Sequence, residues 1–266
     1  MKNSEVLRYV IAVSDSQFYQ FLGNPNFEVL FKKYKDNPKT LDGACKTFPE
    51  EGNSLIRSQL QLLYKDDYLM SFGWMTTAGF CYGQFGRDAF DTLIRNFIIV
   101  PYAKIRKDGI IETEDSPIAI AHSEYHIYLL FPDCISIISK ITSNIVHTEH
   151  INDSLVNMTY DRFRNKLYIH STKTLYQYVI ENEDRDVWKA HMEKEDYHMA
   201  LEHCKMKNLP YVRKVAKMYG NHLFNKGDFF NAAVIFAESD EKFEEVALKF
   251  LMNNEFKALK CVILFI

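Results

Sequence analysis

The stretch SPIAIAHSEYHIYLLFPDCISIISKITSNIVHTEH, Ser116 to His150, divides into apolar runs near 118–122, 125–131, 134–140 and 145–150. Ser123-Glu124, Pro132-Asp133 and Ser143-Asn144 stand between the runs, and residues of these types favour turns because their side chains or rings satisfy tight backbone geometry. Short apolar runs separated by such pairs read as antiparallel strands, so the stretch is one four-stranded meander. The pattern returns about 40 residues later: Ile118 maps to Met158, Ile120 to Tyr160, Tyr128 to Tyr168 and Ile135 to Leu175. MTYDRFRNKLYIHSTKTLYQYVI, Met158 to Ile180, then supplies three further strands, with bends at Arg164-Asn165 and Thr172-Lys173. A period near 40 with up to four strands per unit is the sequence sign of propeller blades. The Trp-Asp and Gly-His dipeptides of WD-type blades are absent, so the blades are of another type.

Upstream the same habit continues. YVIAV at 9–13 runs into SDS and then QFYQFL, and SFGWM at 71–75 meets TTAG and then FCYGQF at 80–85. Counting segments gives about four blades, with residues 35–66, containing Pro38, Gly43, Pro49 and Gly52, read as a long polar insertion. The N-terminal MKNSEVLRYVIAV is interrupted by Arg8 and lacks a small-residue cleavage site, which fits a strand rather than a signal peptide.

Downstream, the charged stretch NEDRD at 182–186 marks a change of regime. Beyond it glycines nearly vanish and apolar residues take helical spacing. Tyr197, Ala200, Leu201 and Cys204 form one stripe, and Val212, Val215, Ala216, Tyr219 and Leu223 form the next. Phe229, Ala232, Ala233 and Phe236 repeat the first spacing 32 residues later, and Phe243, Val246, Ala247, Phe250 and Leu251 follow. Asp196 and Asp228 precede matching positions, where a carboxylate can cap exposed N–H groups. Helix hairpins that bury stripes only against their neighbours make an α-solenoid. The expected fold is therefore β + α multidomain: residues 1–182 the C-terminal part of a β-propeller, residues 183–266 the start of an α-solenoid.

Composition sets limits on function. With 266 residues, 47% of them hydrophobic, the chain can bury a substantial core. A formal net charge of -3 and only a short basic run at Lys32, Lys33 and Lys35 argue against nucleic-acid binding. The five cysteines, Cys45, Cys81, Cys134, Cys204 and Cys261, lie at least 36 residues apart, leave no CxxC pair, and read as reduced and cytosolic. The longest apolar runs, such as CVILFI at 261–266, are far shorter than the roughly 20 residues that cross a bilayer. Membrane work would go through partners or surface attachment.

The sequence offers no catalytic, cofactor-binding or metal-ligating set by spacing. DYHMALEHCKMKN, Asp196 to Asn208, holds His198, His203 and Cys204, but on a helix His198 and His203 point about 140° apart and Cys204 lies about 120° from His198. That places Cys204 in the core and both histidines on polar or flanking faces. His147 and His150, three apart on a strand, face opposite sides. Gly79, Gly83 and Gly86 match neither a dinucleotide fingerprint nor a phosphate loop and read as turn and bulge glycines. Trp188, on the partly apolar face of Val187, Trp188, His191 and Met192, reads as a plug at the junction of the last blade and the first helix.

DRDVWKAHMEKEDYHMALEHC, followed by FFNAAVIFAESDEKFEEVALKFLMNNEFKAL, resembles the vacuolar protein sorting-associated protein 18 family, also called the deep orange family. The residues that carry the likeness are Arg185 to Lys189, with Asp186, Val187 and Trp188 at its centre, the helix Tyr197 to Cys204 with Ala200 and Leu201, and Phe243 to Phe250, with Phe229 opening the intervening repeat. YVIAVSDSQFYQFLG, FGWMTTAGFCYGQF and SPIAIAHSEYHIYLLFPD extend it to the β half. The resemblance implies a non-enzymatic scaffold of the HOPS and CORVET endolysosomal tethering complexes, without a cofactor. Its implied partners are the other class C subunits and, through them, Rab GTPases and SNAREs. Its implied place is cytoplasmic and peripheral on late endosome and lysosome or vacuole membranes. Family members carry earlier blades, a longer solenoid and a C-terminal RING-type zinc domain, so the expectation is a fragment, a partial gene model or a short isoform. Clathrin-type coat chains share the order of propeller then solenoid and supply the alternative reading, a trafficking scaffold outside those complexes; an enzymatic propeller is the third.

Overall fold

The computed structural model describes residues 8–47, 58–65, 68–85, 94–102, 117–161, 163–164 and 166–265. The chain divides into two compact units, Met1–Glu181 and Asn182–Ile266.

The first unit begins with β1 (Arg8–Val13), β2 (Gln17–Gly23), α1 (Phe27–Lys35), α2 (Pro38–Ala44) and β3 (Cys45–Thr47). It continues with β4 (Leu60–Lys65), β5 (Tyr68–Met75), β6 (Phe80–Phe85) and β7 (Ile94–Val100). Then come β8 (Ala119–His122), β9 (His126–Leu130), β10 (Cys134–Ser139), β11 (Ile145–His150), β12 (Leu155–Asp161), β13 (Lys166–Ser171) and β14 (Leu175–Val179). Among the described residues these strands form four antiparallel sheets in chain order: β1 to β3, β4 to β7, β8 to β11 and β12 to β14. The meander read from Ser116 to His150 is one of them, and β8, β9 and β10 occupy the places that β12, β13 and β14 take in the next.

Side-chain alternation explains how the sheets stack. Ile120, Ile127, Leu129, Cys134 and Ile138 leave the β8–β11 sheet on one face and pack with Met75, Phe80, Tyr82 and Val100 of the preceding sheet. Their neighbours Ala119, Ala121, Tyr128, Leu130, Ile135 and Ile137 leave on the other face and meet Leu155, Met158, Leu167 and Ile169 of the following sheet. Successive residues of a strand point to opposite faces, so a sheet covered on both sides is apolar throughout, and every residue of β8 and β10 is buried. Phe18, Phe72, Trp74 and Cys81 join the first two sheets, and Trp74 Nε1 donates to Ser14 O and Ser58 Oγ at 2.9 Å each.

The segment 35–66 departs from its reading as a polar insertion. It holds α2, with Pro at its first turn, then β3, which pairs with β2, and β4, which pairs with β5. A three-residue edge strand beside Gly43 and Pro49 is too short to show alternation, and this is why turn chemistry hid it. Pro49 and Gly52 lie outside the described residues. The glycine reading holds at two positions: Gly79 turns β5 into β6 at φ 155°, and Gly83 sits at the register shift between β6 and β7. Gly86 and Asn165 lie outside the described residues.

The second unit contains α3 (Val187–Glu193), α4 (Tyr197–Met206), α5 (Val212–Asn225), α6 (Phe229–Phe236), α7 (Phe243–Met252) and α8 (Phe256–Phe265). Trp188, Ala200, Leu201, Cys204, Val215 and Ala216 form one core, and Ala232, Ala233, Phe236, Val246, Phe250, Ala258 and Val262 form the next. Gly220 admits the Phe236 ring, which would lie 2.8 Å from an added Cβ. The α7 stripe is narrower than its spacing suggests: Val246 and Phe250 are buried, whereas Phe243 and Leu251 are 39% and 43% exposed. Helical stepping puts Leu251 about 120° from the centre of that buried arc.

Candidate functional site

The entrance to the helical unit is built from the charged stretch and the first two helices. Asp186 occupies the N-cap position of α3, but its carboxylate makes no cap bond. It pairs instead with Lys189 at 2.7 Å and Arg185 at 3.2 Å, and these cations hold its carboxyl below the usual carboxylate range. Asp184 is likewise held low by Lys207, whose ammonium lies 2.6 Å away. The same residue's backbone oxygen lies 3.1 Å from His203 Nε2. Behind this charged rim, Val187 and Trp188 are buried, and the Trp188 ring stacks on Tyr211 at 4.7 Å.

The sequence-derived residues therefore separate into groups. Trp188, Ala200 and Leu201 share one core, and Val187 is buried beside Trp188 in α3. Tyr197 is half-buried, with its ring 4.4 Å from that of His222 and stacked on Tyr219 at 6.2 Å. Phe229 belongs to the next core, against Phe224 and Phe250. Phe243 is among the exposed apolar side chains. His203 corrects the expectation of two histidines on polar or flanking faces: His198 is exposed, but His203 is 6% exposed. Its position flanks the Ala200–Cys204 stripe, and the bond to Asp184 O supplies the polar partner that makes burial tolerable.

The β unit holds a buried polar group of its own. His122 is fully buried at the end of β8, where its Nδ1 lies 2.9 Å from Lys140 Nζ and its backbone N–H donates to Gln61 Oε1 at 2.7 Å. Burial and the neighbouring Lys140 ammonium push its pKa well below 6.5, so the imidazole is neutral. Ile120 N–H donates to Gln59 Oε1 at 2.9 Å, so two glutamines flanking and within β4 satisfy the free edge of β8. These contacts fasten one sheet to the next.

A polar cleft of about 520 Å³ opens at one end of the last two sheets, lined by Pro132, Asp133, Asp153, Ser154, Leu155 and Lys173 among others. Its walls are tied together: Ile151 N–H donates to Asp133 O at 2.9 Å, and Leu155 N–H donates to Pro132 O at 3.1 Å. Asp153 accepts from Ser171 Oγ and from Tyr176 Oη, and the Ser171 bond leads in holding its carboxyl below the usual range. Beside the cleft, ligand atoms of Asp133, Cys134 and His150 all lie within 4.8 Å of one another. Linear spacing does not show this group, because Cys134 and His150 are 16 residues apart in sequence and meet only as a directly opposed pair of β10 and β11. Cross-strand register is the signal that could have found it.

The family model described as the Pep3/Vps18/deep orange beta-propeller domain matches residues 1–180. Vacuolar sorting protein 18 of Arabidopsis thaliana is 26% identical over 274 residues, covering 96% of this chain and 26% of that protein. The vacuolar protein sorting-associated protein 18 homolog of Danio rerio is 26% identical over 267 residues, with the same coverage of 96% and 26%. Vacuolar membrane protein pep3 of Schizosaccharomyces pombe is 27% identical over 143 residues, covering 52% of this chain and 16% of that protein. The chain thus spans about a quarter of the length of the first two relatives.

Proposed function

The chain belongs to the Pep3/Vps18/deep orange family, and on that premise we propose that it is a non-enzymatic scaffold of a HOPS- or CORVET-like endolysosomal tethering complex. The carrying observation is that the likeness to the plant and fish vacuolar sorting proteins runs over 96% of the chain, through the β unit and into the helices. In this reading residues 1–182 are propeller blades, about four of them, and residues 183–266 begin an α-solenoid. Four antiparallel sheets in chain order, each packed on the next, support the blade reading. Helix pairs with serially connected cores support the solenoid reading.

The chemistry of such a subunit is assembly. Blades give a rigid module, and stacked helix pairs give extended surface for other subunits. Its partners are the other class C tethering subunits, and through them Rab GTPases and SNAREs at late endosomes and lysosomes or vacuoles. Attachment to the membrane is peripheral and runs through those partners; no described helix is long and apolar enough to cross a bilayer. Asp186, Val187 and Trp188 set the start of the helical unit, and Trp188 anchors its first core.

Affinity purification of the tagged chain, alongside a version extended to the full length of its relatives, tests the proposal. Enrichment of class C subunits with both is the expected result. Recovery of coat components in their place, or of no class C subunit even with the extended version, would reject it.

A further inference from the structure

We propose that Asp133, Cys134 and His150 form a binding site for a divalent cation of the zinc class, at the end of the β8–β11 sheet where β10 begins and β11 ends. The donors arrive from two directions. Cys134 opens β10 and stands directly opposite His150, the last residue of β11, so both side chains leave the sheet on the same face. Asp133 is the turn residue immediately before β10, and its carboxylate lies 3.8 Å from His150 Nδ1.

Distance and donor chemistry agree on the ion. Tetrahedral zinc with one sulfur, one nitrogen and one oxygen ligand places those atoms about 3.3–3.6 Å apart, given bond lengths near 2.0–2.3 Å. All three donors here lie within 4.8 Å, so side-chain rotation of about 1 Å closes the set. A thiolate and a carboxylate bring two negative charges against a divalent ion, and the imidazole is neutral when it ligates. Thiolate with imidazole selects zinc and the late first-row ions over magnesium or calcium, which favour oxygen ligands.

The site is also held in place. Phe131 N–H donates to Cys134 O at 2.8 Å across the Pro132-Asp133 turn, and Asp133 O accepts from Ile151 N–H, the residue that follows His150. The backbone of all three donors is thereby fixed by the ladder and the turn. Asp133 belongs to this donor group and also lines the polar cleft.

The test is cobalt titration of the purified full chain, since Co²⁺ takes the same geometry and reports thiolate ligation by a near-ultraviolet charge-transfer band. A saturable band that zinc displaces is expected. Asp133→Ala and His150→Ala change side chains that are 66% and 75% exposed, so the fold does not depend on them. Each should weaken Co²⁺ binding by more than about tenfold, because even loss of an outer-shell partner costs that much. Cys134→Ser should abolish the band, whereas Cys45→Ser and Cys261→Ser should leave it unchanged. No band with the unmodified chain, unchanged affinity in both exposed variants, or loss of the band on replacing Cys45 or Cys261 would each overturn the site. If Cys134→Ser fails to fold by circular dichroism, the two exposed variants decide.

Discussion

Single residues in this chain do mainly structural work, and two of them make measurable commitments. His122 is neutral and buried, with its pKa depressed well below 6.5, first by burial and then by Lys140. An unfolded histidine takes up a proton near pH 6.5, while the folded one resists until the pH is much lower. The stability His122 confers is therefore present above about pH 6.5 and is lost as the pH falls below that value toward the folded pKa. Urea unfolding of the β unit should show a midpoint that drops between pH 7 and pH 5.5, and His122→Gln should flatten that slope. Trp188 is 6% exposed, stacks on Tyr211 and fills the first helical core. Trp188→Ala should destabilise the helical unit by about 3–5 kcal/mol, read from the helical circular dichroism signal in urea. A loss under about 1 kcal/mol would mean that the ring is not a core residue. Cys204 is legible as core from helical spacing, whereas the sequence reads Trp188 as a plug at the junction of the last blade and the first helix, and the structure places it in the first helical core. The burial of His203 is not legible, because it depends on a carbonyl 19 residues away.

At the scale of elements, one turn design recurs. After α3, α4, α5 and α7 the chain passes through a left-handed residue, Glu195 at φ 57°, Asn208 at φ 50°, Gly227 at φ 81° and Asn254 at φ 59°. Each time the next N–H reaches back to a carbonyl of the last turn: Asp196 to His191, Leu209 to Cys204, Asp228 to Leu223 and Glu255 to Phe250, all at 2.9–3.0 Å. This is the Schellman arrangement. At Asp196 and Asp228 the residue that closes one helix also caps the next, accepting from Met199 and Asn231 N–H groups. Asp196→Ala and Asp228→Ala should each cost about 1 kcal/mol in thermal or urea unfolding. Glu195→Gly should raise stability by about 1 kcal/mol, since glycine adopts the left-handed conformation without the Cβ penalty. The aspartate caps were visible in the sequence, where they precede equivalent aromatic residues 32 positions apart. The left-handed Glu195 was not, because nothing in its side chain marks it. Among the strands, the runs between turn pairs were legible, and the brief β3 and the pairing of Cys134 with His150 were not. Register is a property of two strands together, and neither strand states it alone.

At the scale of the whole molecule, the β unit is a series of sheets in which each core is shared by two neighbours. This explains why apolar alternation is weak in β8 and β10, which are buried on both faces, and clearer in β14, which alternates exposed and half-buried residues. The helical unit repeats the principle with helix pairs. Such serial architectures expose long surfaces, and side chains including Met206, Phe230, Met252 and Ile263 remain at least 59% exposed on the helices. The scaffold proposal rests on family membership and on continuity of the likeness across both units. Size-exclusion chromatography of the purified chain, mixed with each purified class C tethering subunit in turn, tests that proposal without the cell. A shift of the chain into an earlier, stoichiometric peak with at least one subunit is expected, and an unchanged elution volume with every one of them would contradict the assembly role.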